Sequence, residues 1–273
     1  MSIEIPMLNA AAFYDRIASR VREGRPFSMV RLGDGELLVI KYPKYTPEDE
    51  VRAQVNKWFP SEQLTKNEIM QFGTDIHTAC RSADMLGIPS DYEYSRWPKW
   101  NRDMRWPVFM RDYSLLEPQG REFFHFYLVG EWWTGGHFDR MMAGADRVIL
   151  IGCRDVAEMF RKRWPHLRSV EQWMIPPERF VWRKYAQVLD AQGAYEGAPH
   201  YPDLYAEYLR RIHASHTTLR GVLFLIGAGG LGKMYCHAVR QMGGMGLDVG
   251  ALFDGWAGIP TRPYLEKAAD YVL

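Results

Sequence analysis

Short apolar runs alternate with amphipathic segments through the second half of the chain. The runs RVILIG (147–152), SVEQWMI (169–175) and GVLFLI (221–226) are predicted strands, because each is short, rich in branched residues and bounded by turn residues. RDVAEMFRKRW, between the first two, has helical periodicity. Strands that alternate with helices predict βαβ units, and therefore a parallel sheet covered on both faces. Further helices are predicted over 182–192, 204–216 and 233–242, with LDVGALFD (247–254) as the last strand.

The first 32 residues predict one helix and one strand. Asn9 is a suitable N-cap for an amphipathic helix that runs through Val21 and ends at Gly24. The apolar run Phe27–Leu32 follows as a strand and leads directly into the turn RLGDGE.

The stretch from Glu48 to Gly144 carries few strand signals. Helical periodicity over 47–59 and 61–85, separated by Pro60, and the tryptophans of RWPKWNRDMRW (96–106) predict a helical, Trp-rich insertion at about 48–144. The tryptophans are predicted either to be buried or to form a stacking platform for a sugar or base. The fold class is therefore α/β and Rossmann-like, a single domain over 1–273 with a mostly parallel sheet and helices on both faces.

Composition limits the partners and the compartment. With 34 basic and 33 acidic residues the chain has no overall charge that would favour nucleic acid or an anionic membrane, so an anionic ligand has to be held locally. Cys80, Cys153 and Cys236 are odd in number and widely spaced, which indicates reduced thiols in a cytoplasmic protein. No apolar run is long enough for a transmembrane segment, and the start does not read as an export signal.

The stretch LIGAGGLGKM (225–234) fits parts of two phosphate-binding patterns. Gly227, Gly229 and Gly232 form the G-x-G-x-x-G of dinucleotide-binding proteins, while Lys233 follows the last glycine as in a P-loop. A P-loop needs Ser or Thr after the lysine to bind magnesium, and Met234 stands there, which argues against an NTPase.

The dinucleotide pattern stays open as an alternative, an NAD(P)-dependent oxidoreductase with Asp248 or Asp254 as the ribose-binding acid. Even if neither pattern applies, the glycines let backbone N–H groups approach a phosphate at the positive end of the following helix, and Lys233 adds a positive charge. The plainer interpretation is that these glycines only allow a strand and a helix to pack closely.

The turn RLGDGE (31–36) places two acids beyond a predicted strand. In an extended chain Asp34 and Glu36 point to the same side, and two such oxygen ligands suit magnesium or manganese. Gly33 and Gly35 leave room for a charged ligand, and Arg31 could bind a phosphate or fix a carboxylate. A plain tight turn is the alternative. Because ligands gather at the carboxyl ends of parallel strands, we expect this turn and the lysine-bearing turn to converge.

VRLGDGELLVI (30–40) resembles the signature of the GT-D-type glycosyltransferases, a strand followed by R-x-G-D-G-E. Looser similarity extends to RVILIGCRD, to WMIPPERFVWRKYAQVL and to the stretch from VLFLIGAGGLGK to LFD. The resemblance implies a hexosyltransferase of polysaccharide or glycoconjugate biosynthesis that moves a sugar from a nucleotide-sugar, with UDP as the expected nucleotide, to a glycan, glycoprotein or glycolipid acceptor. It also implies Mn²⁺ or Mg²⁺ held by Asp34 and Glu36, with Gly227–Lys233 bordering the donor phosphates.

The proposed chemistry needs charge stabilisation and a base. Arg31 and Lys233, together with the ion, would stabilise the leaving diphosphate. Asp254, just past a predicted strand end beside Gly255, is the preferred base, with Asp248 and His237 as further candidates. The predicted nucleotide-sugar site is Arg31, Gly33, Gly35, Gly227, Gly229, Lys233 and Asp248, and the catalytic set is Asp34, Glu36 and Asp254.

Several other features carry weaker expectations. His77 and His137 are expected to be neither ligands nor bases. Arg154 follows a strand end where it could touch the nucleotide, and Asp155 is expected to cap a helix. A homodimer is compatible with the sequence, and a noncatalytic glycan-binding protein on the same fold stays a third alternative.

Overall fold

The computed structural model describes residues 5–59, 64–89, 115, 120–132, 136–178, 197–214, 219–259, 261 and 265. Within these residues eight strands form one sheet in which every pair is parallel. The strands are β1 (Met7–Leu8), β2 (Phe27–Arg31), β3 (Met85–Ile88), β4 (Glu122–His125), β5 (Arg147–Gly152), β6 (Ser169–Met174), β7 (Val222–Ile226) and β8 (Met245–Asp248). Their order across the sheet is β1-β4-β3-β2-β8-β7-β5-β6.

Nine α-helices lie among the described residues. They are α1 (Ala10–Glu23), α2 (Asp34–Lys41), α3 (Glu48–Trp58), α4 (Lys66–Ser82), α5 (His137–Met142), α6 (Ala157–Arg163), α7 (Tyr205–Ala214), α8 (Gly229–Gln241) and α9 (Leu252–Trp256). A short 3-10 helix (Phe126–Val129) follows β4, and an irregular helical turn (His200–Leu204) precedes α7. In the described part of the chain, no helix is both long and apolar enough to cross a membrane.

Helices cover both faces of the sheet, as the period-2 alternation of the strands requires. In β2, for example, Val30 contributes to one hydrophobic core, whereas Phe27 and Met29 contribute to the other. Helices α2, α3, α4, α7 and α8 supply the first core, and α1, α5, α6 and α9 supply the second. The predicted α/β fold class, with a parallel sheet covered on both sides, is confirmed.

The predicted helix at the start of the chain is confirmed with both of its caps. The Asn9 side chain accepts a hydrogen bond from the backbone N–H of Ala12, at 2.9 Å, which satisfies a donor in the first turn of α1. The backbone N–H of Gly24 donates to the carbonyls of Arg20 and Val21 after the last turn.

The stretch predicted as a helical insertion, 48–144, in fact also contributes strands to the sheet. It contains α3 and α4 as expected, but also β3 and β4, which pair with each other and join β2 to β1. The sequence did not predict β3, because this strand has only four residues, MLGI, and one of them is glycine. Trp132 is fully buried, which fits the plainer of the two tryptophan interpretations. The segment 96–106 and the predicted helix 182–192 lie outside the described residues.

Neighbouring strands in the middle of the sheet, β2, β8, β7 and β5, are followed by helices on alternating faces. After β2 the chain enters α2 on the first core, and after its neighbour β8 it enters α9 on the second. The same reversal separates β5, followed by α6, from β7, followed by α8. At such a reversal the connections diverge and leave a crevice beyond the carboxyl ends of the strands, where open α/β sheets bind their ligands. Two of these places are named here the β2/β8 crevice and the β5/β7 crevice.

Candidate functional site

The acidic turn lies at the β2/β8 crevice, but its geometry differs from the prediction. Asp34 and Glu36 do not continue an extended strand, because α2 begins at Asp34. Gly33 is the N-cap, and Oε2 of Glu36 accepts a hydrogen bond from its backbone N–H at 3.0 Å, so Glu36 closes the first turn of the helix. The expectation that the two carboxylates point to the same side of an extended chain was therefore wrong. The Asp34 side chain lies outside the described atoms.

Lys233 reaches the same place from the other motif. Helix α8 starts at Gly229, four residues earlier than predicted, so Lys233 lies one turn inside it. Its Nζ contacts Oε1 of Glu36 at 2.5 Å, Oδ2 of Asp248 at 3.0 Å and the carbonyl oxygen of Gly229 at 3.0 Å. An ammonium group has three N–H donors, so these three acceptors match its full capacity.

Arg31 completes a buried group of four charges at the ends of β2 and β8. Its Nη2 donates to Oδ1 of Asp248 at 3.2 Å, and its backbone N–H donates to Oδ2 at 3.2 Å. The two cations, Arg31 and Lys233, thus face two carboxylates, Asp248 and Glu36, and we call these four residues the charge quartet. The convergence predicted for the two turns is what the structure shows, since Glu36 and Lys233 are in direct contact.

Electrostatics within the charge quartet favour the ionised forms of Asp248 and Lys233. Burial alone would raise the pKa of Asp248, but the neighbouring Arg31 and Lys233 hold it below its ordinary value. Burial likewise opposes the charged ammonium of Lys233, yet Asp248 and Glu36 outweigh burial and raise its pKa. The quartet is therefore a mutually neutralising unit at neutral pH.

The space beside the glycines of the glycine–lysine turn is occupied by other parts of the protein. A Cβ on Gly227 would lie 2.4 Å from the carbonyl oxygen of Gly250, and one on Gly230 would lie 2.9 Å from the indole of Trp58. The same indole lies 2.8 Å from the Cβ position of Gly229 and 2.9 Å from that of Gly35. Close packing, the plainer interpretation, accounts for these glycines.

Trp58 is a residue that sequence reasoning did not single out, although it joins the two glycine turns. It is the last residue of α3, is 7% exposed, and lies against Gly35 of α2 and Gly229 and Gly230 of α8. The available signal was its place at the end of a predicted helix just before Pro60.

Asp254 lies at the β5/β7 crevice and not directly past a strand end. β8 ends at Asp248, and Asp254 belongs to α9, six residues later. Its Oδ1 accepts from Nε of Arg154 at 2.9 Å, and its Oδ2 accepts from Oγ1 of Thr261 at 2.6 Å. The preferred base is therefore close to Arg154, another predicted nucleotide contact, but both of its oxygens are engaged.

The three histidines considered from the sequence and the predicted capping acid Asp155 lie in different parts of the fold. Nδ1 of His237 is 2.6 Å from Oγ of Ser82, the last residue of α4, which places it on the side of the sheet where the strands begin. His137 stacks on Tyr14 with ring centroids 4.1 Å apart, and His77 lies inside α4. Asp155 accepts from the backbone N–H of Ala157, the first residue of α6, at 3.1 Å, but the N-cap residue itself is Val156 and not Asp155 as predicted. None of these arrangements brings a histidine to the β2/β8 crevice.

Glu36 does not fit the predicted divalent ion as a ligand. Its two oxygens face Lys233 and the Gly33 N–H, and those of Asp248 face Arg31 and Lys233. In the described part of the chain, no group of three His, Cys, Asp or Glu side chains could hold a metal ion. The prediction for Asp34 stays a prediction.

The dinucleotide alternative also loses support at Asp248. An acid that binds a ribose has to be reachable, whereas Asp248 is 1% exposed and bound to two cations. Asp254, the other acid considered for that role, is held by Arg154 and Thr261.

Comparisons with known proteins agree with this architecture. The family model of the GT-D fold-like domain matches residues 8–196, which include the RLGDGE turn but end before the glycine–lysine turn. A solved structure of domain of unknown function 1792, reported to have a distinct glycosyltransferase fold, is 13% identical with a TM-score of 0.52, covering 92% of this chain and 80% of the other. A selenomethionine-substituted structure of that domain is 12% identical with a TM-score of 0.51 and the same coverage. These likenesses concern the fold. No curated protein matches the sequence.

Proposed function

We propose that this chain, which belongs to the GT-D-like family, is a glycosyltransferase that moves a sugar from a nucleotide-sugar to an acceptor hydroxyl. UDP is the proposed nucleotide. The proposed acceptor is a glycan, a glycoprotein or a glycolipid. Family membership supports the reaction class, and the reported glycosyltransferase fold of a structurally similar domain agrees with it.

One observation carries the proposal more than any other. The motif that carries the family resemblance and the glycine–lysine turn, about 200 residues apart in the sequence, meet at the β2/β8 crevice through the contact of Glu36 with Lys233. A crevice of this kind is the usual ligand site of an open α/β sheet. The N-terminus of α8 lies there and favours an anionic ligand such as a diphosphate, and Arg31, the more exposed of the two cations, lies beside it.

The proposed chemistry places demands on this crevice. Breaking the bond between a sugar and a phosphate leaves a diphosphate with added negative charge, which fixed cations stabilise as it develops. Arg31, at the end of β2, is well placed for this. Asp254 stays the proposed base, and its carboxylate, with about four acceptor sites, keeps capacity for a proton beside the bonds to Arg154 and Thr261.

Mn²⁺ or Mg²⁺ stays a proposed cofactor, with Asp34 as the candidate ligand. When bound, such an ion would supply positive charge to the diphosphate. Because Glu36 is committed to Lys233 and Gly33, we do not include it among the ligands.

The decisive experiment is a panel of nucleotide-sugars scored for release of the nucleoside diphosphate, with and without Mn²⁺ or Mg²⁺. We expect release from a UDP-sugar and its loss in Asp34→Ala. Asp15→Ala is the matched control, because Asp15 is an exposed acid of α1 that pairs with Arg140 on the other face of the sheet. Stabilisation by NADH without any effect of UDP would instead favour an oxidoreductase, and glycan binding without release would favour a noncatalytic protein.

A further inference from the structure

The two cations of the charge quartet differ in how far they reach the solvent. The Lys233 side chain is 4% exposed and the Arg31 side chain is 19% exposed. Lys233 lies between Glu36 and Asp248, whereas Arg31 lies at the end of the row, next to Asp248 only among these carboxylates. Among the four side chains Asp248, at 1%, is the most buried and Arg31 is the most exposed, so the row comes closest to the solvent at its Arg31 end.

Lys233 cannot hold a phosphate without giving up a partner. Its three donors face Glu36, Asp248 and the Gly229 carbonyl. Withdrawing the ammonium would leave a buried carboxylate with less compensation, and a buried charge without its partner is strongly unfavourable. Its geometry is that of an internal counter-ion.

Arg31 lies in a slot that two glycines leave open. A Cβ on Gly250, after β8, would lie 1.8 Å from Nη2 of Arg31, and a Cβ on Gly87 of β3 would lie 3.2 Å from its Cγ. Since β2 runs between β3 and β8, the arginine occupies space that both neighbouring strands provide. A guanidinium is planar and carries five N–H donors, enough to hold a carboxylate and a phosphate together.

We propose that these cations divide the work: Arg31 contacts the donor diphosphate, while Lys233, held by Glu36, fixes Asp248 and through it the orientation of Arg31. The inference rests on the proposed function, because it assigns the donor contact within that site. Lys233 and Glu36 are then positioning residues, and neither touches the nucleotide-sugar. This revises the expectation that Lys233 itself borders the phosphates.

Two variants separate the two roles. Arg31→Gln removes the proposed contact, and the double variant Lys233→Met with Glu36→Gln removes one cation and one anion from the interior together. Binding of UDP and of inorganic pyrophosphate is measured by titration calorimetry, and stability by urea unfolding. We expect Arg31→Gln to weaken UDP binding at least about tenfold, the size of one charge-assisted hydrogen bond. The double variant should weaken UDP binding less, by up to about threefold, because it loosens Asp248 but leaves the Arg31 guanidinium in place.

Stability supplies a second and independent readout. Lys233→Met alone leaves Glu36 and Asp248 with less compensation, so it should unfold at a lower urea concentration than the double variant, in which Glu36 is also neutral. Such a rescue by a second substitution is expected of an internal ion pair. Arg31→Lys, which keeps the charge without the planar fork, should recover part of the UDP affinity.

The outcomes are distinguishable. A folded double variant that loses UDP affinity as completely as Arg31→Gln would show that Lys233 contacts the diphosphate, and it would overturn the inference. Unchanged UDP binding in Arg31→Gln would overturn it as well. If the unmodified protein binds neither UDP nor pyrophosphate, the proposed donor class fails together with the role of Arg31. The comparison of Lys233→Met with the double variant would still decide whether Lys233 is an internal counter-ion.

Discussion

The two crevices at the carboxyl edge of the sheet contain the same kind of arginine–aspartate pair in different surroundings. In the β2/β8 crevice Arg31 binds Asp248, and a second ion pair, Lys233 with Glu36, lies behind it. In the β5/β7 crevice Arg154 binds Asp254, whose other oxygen accepts from a hydroxyl, that of Thr261.

The difference in burial decides what each pair can do. The carboxylate of Asp248 is 1% exposed, whereas that of Asp254 is 14% exposed and is held by one cation. Removing a charge from the first crevice leaves other buried charges uncompensated, while in the second crevice water can replace part of what is lost. Removing a charge from the β2/β8 crevice should therefore cost more stability than removing one from the β5/β7 crevice, where the more exposed Asp254 is the better candidate for a base.

The largest expected effect comes from neutralising the two aspartates. Asp248→Asn should lower the free energy of unfolding by about 3–5 kcal/mol, because it removes one partner from a buried set of charges. Asp254→Asn is the matched substitution and should cost about 1.5–3 kcal/mol, the range of hydrogen bonds to charged groups. Urea unfolding of both variants measures the difference. Equal losses would show that the two crevices do not differ as described.

A second experiment moves Arg31 without changing any charge. Gly250 has φ of +54° and lies against the guanidinium, so Gly250→Ala adds both backbone strain and a clash. Gly221→Ala is the control, since Gly221 has φ of +77° with open space around its Cβ position. We expect a loss of about 1–3 kcal/mol for Gly250→Ala, more than for the control. Only the first should weaken UDP binding, and equal UDP affinity in both variants would contradict the glycine slot.

Lowering the pH tests the comparison further, because it protonates Asp248 in the β2/β8 crevice. The folded pKa of Asp248 lies below its ordinary value of 3.8, so the folded state binds fewer protons than the unfolded state as the pH falls through this region. The stability that Asp248 contributes is present above the ordinary pKa and is lost as the pH falls through the folded pKa.

The measurement is the difference in unfolding free energy between the unmodified protein and Asp248→Asn. It should be constant from about pH 5 to about pH 8 and should shrink below about pH 4, with a slope no steeper than about 1.4 kcal/mol per pH unit. A difference that is unchanged at pH 3 would contradict the assignment of Asp248 as an ionised partner.

The smallest expected effect concerns thiol reactivity. Burial, followed by the nearby charge of Asp254, raises the pKa of Cys153 to about 12. Asp254→Asn should therefore lower this pKa and speed alkylation of Cys153 by iodoacetamide several-fold, because the thiolate is the reactive form. Cys236, which is buried beneath β8, serves as the internal reference and should not change. Mass spectrometry of labelled peptides reads both rates, and a parallel rise at Cys236 would indicate general unfolding instead.

The sequence predicted most of the elements that bury strong, regular apolar patterns. β5 was placed at its observed bounds, and the helix that starts at Asn9 was placed within two residues at its end, because branched apolar runs and capping residues act locally. β3 and β4 could not be identified in this way, since four residues carry too little local signal and β3 also has a glycine within it. What makes Gly87 acceptable in a strand is the Phe124 ring that fills its place, and this contact exists only in the folded chain.

The sequence by itself determined that a glycine-flanked acidic turn and a glycine–lysine turn follow strands of a parallel sheet, and hence that they would gather at one edge. Only the tertiary structure decided how their charges pair. A carboxylate or an ammonium keeps the same formal charge wherever it lies, but its availability to a ligand depends on burial and on the partners that the fold brings within about 3 Å. Because Glu36 pairs with Lys233 and Asp248 binds both cations, Arg31 is the residue of the charge quartet that is most exposed to solvent.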